Sequence, residues 1–433
     1  MYSLIVNKRP LYGIGKEFES DMSKQIDQRL PVDSGKGAGF KEYAAIKSPW
    51  ERLYGFRDAM HFSNRFEAVL GAAAMQAYRI LVPDYAERSK IICESAYERI
   101  GAANRLSAEG TAATVNVHPF MCGGFTGALC GDQGDDALLM CGRVRDFGTY
   151  RAEKELDVCP WDICGSELCR ATTMSLQAVA EAYSELHREG PTMEYCMVEA
   201  KGCGDLHCRI VAENRDKYPM PAHEIWESFG PVATSDQIRF TPEEECVKES
   251  MVFREECGFT WSNGTNAELG SNSADFVRFS TGAAMYILPA IDEAVNRGKC
   301  TKEFADHVLR CVLEAAGKAM FCDSYAIKGV RDWMGVPDEI GEDGRLAGGL
   351  IEMQLQSLFC AYDVEAFNKD EVVLVIDRAG LAIQGCKRLP DVHVQFWYGM
   401  VKSLVNAQWS LWEEDSPAGK LRIRIAKKID KFC

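Results

Sequence analysis

The sequence is short of positive charge. Over 433 residues, 49 Lys and Arg stand against 64 Asp and Glu, a formal net charge of −15. A surface that neutralises phosphate needs clustered cations, so this balance excludes nucleic acid as a partner and, equally, an anionic membrane face. Long apolar runs are missing too, and no uncharged stretch approaches the roughly 18 residues of a membrane span. The opening MYSLIVNKRP has only a short apolar run before Lys8 and Arg9, so the core of a secretory signal is lacking. The expectation is a cytoplasmic protein.

Cysteine is plentiful instead, with 18 in the chain. In a reducing compartment these are thiols, metal ligands or nucleophiles rather than disulfides. Most are expected to be small buried apolar residues. A hydrophobic share of 47% with 26% charged residues is that of a globular chain, and the length predicts two or three domains.

After an irregular stretch at 1–60, apolar residues recur at three- and four-residue spacing over 61–81 and 85–105, predicting a helical pair. The Gly-rich 118–136 predicts a loop, and 143–159 a strand broken near Gly148. A helix is expected over 174–187, then an antiparallel hairpin of 194–200 and 207–213. The pattern then restarts. A loop at 258–276 leads to helices at 277–295 and 301–321, then to the Gly-rich 338–350, a strand at 372–386, a helix at 396–405, and strands WSLWEE and LRIRIAK. AENRDKY at 212–218 and AKKIDKF at 426–432 lie 214 residues apart, about half the chain, as a tandem duplication predicts. The predicted fold is α+β: two copies of a unit with a helical pair, antiparallel strand hairpins and a packing helix. The divisions are an extension at 1–60, a first unit at 61–218, a linker at 219–257 and a degenerate second unit at 258–433.

The densest thiol segment is CPWDICGSELC, with Cys159, Cys164 and Cys169. Five-residue steps on a continuous helix turn successive sulfurs about 140° apart, which disfavours an iron–sulfur cluster. Cys159 closes a strand before Pro160, where a thiolate could meet helix-terminal N–H groups. The second segment is VEAKGCGDLHC, a hairpin whose glycines and Asp205 suit a tight turn. His207 and Cys208 are adjacent on a strand and so face opposite ways. A zinc ion on Cys208 would draw partners from Cys196, Cys203 or the 159–169 segment, Cys169 included. Either Cys159 or Cys208 could instead be a nucleophile, with Asp205, Glu199 or His118 moving protons. Trp161, Cys164 and Tyr183 are expected to line the substrate. The second half has only Cys386 near the strand end that Cys159 occupies, so the first half is expected to carry the site.

The pattern of Val158-Cys159-Pro160, then Glu167-Leu168-Cys169, then Glu199 and Gly204-Asp205-Leu206-His207-Cys208-Arg209 resembles the L-2-amino-thiazoline-4-carboxylic acid hydrolase family. It is also similar to the vinyl-4-reductase-type small-molecule-binding domain. The likeness covers about residues 100–218, and the second half more weakly. It implies an α+β ligand-binding fold, often dimeric, with an enclosed pocket for a small cyclic or aromatic molecule. It further implies zinc held by cysteines around the hairpin, where Cys208 matches the second hairpin cysteine and Ala200 replaces the first. The expected function is hydrolysis of a cyclic C–N or C–S bond, as in a thiazoline. The rivals are a non-catalytic sensor of a small ligand, or an accessory subunit of a larger enzyme complex.

Overall fold

The computed structural model describes residues 45–114, 143–147, 151–156, 159, 161–186, 193–214 and 281–428. Among these, helices and small antiparallel sheets give an α+β class. No described helix is long and apolar enough to cross a membrane. The Gly-rich segments at 118–136 and 258–276, and His118, lie outside the described residues.

The chain divides into two compact units that do not follow its linear order. One unit comprises 1–81, 270–288 and 300–433, and the other 82–269 and 289–299. Helix α1 (Phe56–Leu81), which precedes the first large sheet in sequence, therefore belongs with the second.

In the unit containing residues 82–269, α2 (Tyr85–Thr114) packs along α3 (Ser166–Leu186). The sheet consists of β3 (Arg143–Phe147), β4 (Arg151–Leu156), β5 (Met193–Glu199) and β6 (Cys208–Asn214), in the order β3-β4-β6-β5. All its pairings are antiparallel, and α3 packs on β5. Helix α3 starts eight residues before the predicted 174, so the Glu167-Leu168-Cys169 run is helical. A buried ion pair fixes that start: Arg88 Nε donates to Glu167 Oε1 at 2.9 Å, and its Nη1 donates to the carbonyls of Val82 and Pro83. Helix α4 (Gly282–Asn296) is shared between the units at Pro289.

In the other unit, a short hairpin of β1 (Ala45–Lys47) and β2 (Leu53–Gly55) leads into α1. Helices α5 (Lys302–Met320), α6 (Ser324–Met334) and α7 (Gly344–Ser357) follow, begun by Thr301, Asp323 and Asp343, whose side chains accept from backbone N–H groups of the first turn. The sheet of β7 (Tyr362–Phe367), β8 (Glu371–Asp377), β9 (Trp409–Glu414) and β10 (Lys420–Lys427) runs β7-β8-β10-β9. Leu421, Ile423 and Ile425 point to the core, and Arg422 and Arg424 outward to Glu365, Glu371 and Glu414. That alternation is the period of two of a half-buried strand.

The sequence placed one strand over 372–386. In the structure the strand ends at Asp377, whose carboxylate accepts from Gly380 N–H and starts the four-residue helix α8 (Arg378–Leu381), followed by a 3-10 turn at Ile383–Gly385. Helix α9 (Leu389–Leu404) begins seven residues before the predicted 396, with Pro390 in its first turn, where no N–H is needed.

Candidate functional site: two thiol pairs at the base of a hairpin

The connection from β5 to β6 is eight residues long, more than a tight turn. It opens with a 3-10 turn, Lys201–Cys203, and closes through Gly204 at φ +106°, a conformation that suits glycine. Asp205 ties the loop shut. Its Oδ2 accepts from Ala200 N–H at 2.7 Å, and its own N–H donates to Ala200 C=O at 3.2 Å. Lys201 Nζ donates to Leu206 C=O at 2.9 Å. Asp205 is thus committed to the turn.

Four of the sequence-predicted cysteines meet here, from four separate places in the chain. Cys159 follows β4, Cys169 is in the first turn of α3, Cys203 ends the 3-10 turn, and Cys208 opens β6. The thiol of Cys159 hydrogen-bonds Cys208, and that of Cys169 hydrogen-bonds Cys203. Gly202 makes room for this: a Cβ there would lie 2.5 Å from Cys169 Sγ and 3.2 Å from Gly165 C=O.

Each pair is electrically uneven. The hydrogen bond to Cys208, with burial, pushes the Cys159 thiol well above its ordinary value. Cys208 is held down by the bond from Cys159, against burial, helped by Lys201 N–H, which donates to its sulfur at 3.4 Å. Cys169 is likewise pushed well up by its bond to Cys203 and by burial, and Cys203 is held down by that same bond. Within each pair, therefore, one thiol is the weaker acid and the other the stronger.

The remaining candidates are placed as follows. Glu199 Oε2 lies 2.6 Å from His207 Nε2, without hydrogen-bond alignment, and Glu199 Oε1 lies 3.8 Å from Arg209 Nη1. Trp161 is buried, and its carbonyl accepts from Cys164 N–H at 2.9 Å in the 3-10 turn Asp162–Cys164. Cys164 is fully buried in that turn. Cys196 is registered opposite Val211 on β6 and Tyr183 is on α3, with side chains outside the described residues. Cys386 is half-buried in the other unit.

Sequence reasoning missed the cations around the thiols. Arg170, next to Cys169, is buried and faces Cys203 and Cys93 through space. A charged residue directly beside Cys169 was the available signal. Cys93 on α2 is a buried thiol, pushed up by burial to about 12, and so stays neutral.

Chemically, the centre is a soft-donor set, and cysteine sulfurs, deprotonated on binding, are the ligands zinc prefers in structural sites. As they stand, the sulfurs form two hydrogen-bonded pairs. Among the described residues, no group of three or more His, Cys, Asp or Glu side chains is gathered around one point at metal-ligand spacing. Comparison of the chain with protein-family models, with curated proteins and with solved structures gave no match.

Proposed function

We propose that the unit built on β3–β6 is a small-molecule-binding module whose hairpin is pinned by a zinc–thiolate centre of Cys159, Cys169, Cys203 and Cys208. The observation that carries this reading is the meeting of four cysteines from four chain segments as two hydrogen-bonded pairs. Zinc bound there would supply structural cross-linking between β4, α3 and the hairpin. The chain's part is to release the thiol protons and to supply neighbouring positive charge, from Lys201 at Cys208 and Arg170 at Cys203.

This reading is preferred to a hydrolase because Asp205, whose carboxylate accepts from Ala200 N–H, is committed to closing the turn. The strand order shared by the two large sheets supports a duplicated origin of the halves, in which only one kept the thiols.

Elemental analysis of the purified full-length chain tests the centre. One zinc per chain is expected, with loss in Cys203→Ser and in Cys208→Ser. A protein free of zinc, or full zinc in a Cys203→Ser/Cys208→Ser double variant, would remove the centre from the proposal.

A further inference from the structure

Arg170 keeps one edge of its guanidinium unused. It lies in the first turns of α3 and is 3% exposed. Its Nε and Nη2 groups are buried and have no hydrogen-bond partner among the described residues. Burial pulls its pKa down, yet a guanidinium does not lose its proton in a protein, so the charge stays. A buried cation without a partner is costly, and folded chains rarely keep one without a use for it.

The obvious counter-ions are already taken or neutral. Glu167, one turn back on the same helix, is bound by Arg88 at 2.9 and 2.8 Å. Tyr85 receives a hydrogen bond from Arg170, and its hydroxyl lies 2.8 Å from Ser166 Oγ, which orients it without bringing negative charge. The Cys93 thiol is held neutral by burial. Cys203 meets Arg170 only through space.

The shape of the unused edge narrows the missing anion. Nε–H and one Nη2–H are parallel donors on the same side of a planar group, spaced to match two oxygens of one carboxylate. A single sulfur cannot satisfy both. We infer that Arg170 is the anchor of an anion-binding site whose ligand is a small molecule bearing a carboxylate, received beside the Cys169–Cys203 pair. This deepens the binding-module reading and rests on it for the word ligand, but it needs no metal. Tyr85 is a positioning residue, since it turns the guanidinium so that the fork is left free.

The test uses the full-length protein with acetate and benzoate as probes, and benzamide as the neutral counterpart of benzoate. Binding is followed by calorimetry and melting temperature, and zinc is measured in the same samples. The carboxylates are expected to bind at millimolar concentration and raise the melting temperature, with no effect from benzamide. Arg170→Gln is expected to weaken carboxylate binding at least tenfold. Without ligand it should melt no lower than the parent, because it removes an unpaired buried charge. Arg170→Lys keeps the charge but not the fork and is expected to fall between them.

Absence of binding by either carboxylate, or equal binding by Arg170→Gln, overturns the site. An Arg170→Gln protein that melts lower than the parent without ligand overturns it in favour of a structural role for the Arg170 charge. Zinc missing from a parent protein that still binds benzoate through Arg170 would instead sink the metal centre and leave the anion site standing.

Discussion

At the scale of single residues, the clearest titration lies away from the thiols. Glu352 on α7 is 9% exposed, and burial pushes its carboxyl up to about 7 from the ordinary 4.5, partly offset by the hydrogen bond it accepts from Tyr362 at 3.3 Å. Between about pH 4.5 and 7 the folded chain holds a proton on Glu352 that the unfolded chain has released. Bound protons in excess in the folded state mean that stability falls as pH rises through that window. The contribution is complete below about 4.5 and gone above about 7, and amounts to at most about 3 kcal/mol. Urea unfolding at pH 5 and pH 8 checks this. The parent should lose more stability between them than Glu352→Gln does, and equal losses would assign the drop to other groups.

At the scale of elements, the helices around the second sheet are joined by one buried polar chain. Trp397 Nε1, which can only donate, gives its hydrogen to Gln354 Oε1 at 2.7 Å, which turns Gln354 Nε2 toward Glu67 Oε1 at 2.6 Å. His393 Nε2 reaches the same oxygen at 3.0 Å, while its Nδ1 bonds Leu389 C=O at 2.8 Å. All four side chains are fully buried, so α1, α7 and α9 share one network. Removing one partner of such a pair strands the other, so His393→Leu should cost about 3–5 kcal/mol. Adding Glu67→Met should recover part of that loss, because the stranded group is gone; a double variant as unstable as the two single losses summed would argue against coupling.

The crossing of α5 and α9 has a different basis. A Cβ on Gly399 would overlap Glu314 C=O, and one on Gly317 would overlap Phe396 C=O. Gly399→Ala should therefore lower stability by about 1–3 kcal/mol or more through forced separation, read as a drop in urea midpoint with unchanged slope.

These glycines also explain what the sequence hid. Gly344, Gly348 and Gly349 made 338–350 read only as Gly-rich, with no helix expected there, yet they lie in α7, where Cβ atoms would press on Trp409, Val372 and the ring of Trp50. Tertiary approach overrode local propensity. The period-two alternation of LRIRIAK and the apolar spacing of 61–81 were legible, since each depends on neighbours in sequence. The thiol centre was legible only in its members. Which sulfurs pair depends on the register of β4 against β6 and on the place where α3 starts, and neither is written in any local run.

At the scale of the whole molecule, two sheets of one strand order have been put to different ends. In β7–β10 the corresponding hairpin has no such loop chemistry. Ser416 Oγ donates to Lys420 C=O at 2.9 Å, Gly419 takes φ +83°, and the strands are held by a core of Leu421, Ile423 and Ile425 under an Arg–Glu face. The hairpin of β5 and β6 instead carries a long connection whose closure depends on Asp205 and on the thiol pairs. Stability in such a chain is local, so stress on the thiols should open one sheet and spare the other. Hydrogen exchange with and without an organomercurial, which takes thiolates and displaces zinc, makes the comparison. Amides of Met193–Glu199 and Cys208–Asn214 are expected to exchange faster, by at least about tenfold if the centre contributes as little as 1.4 kcal/mol, with those of Trp409–Glu414 and Lys420–Lys427 unchanged. Equal acceleration in both sheets would mean that the units unfold as one and that the thiols serve the whole chain. No change in either would mean that the hairpin stands on its backbone bonds alone, which would leave the four cysteines free for ligand chemistry.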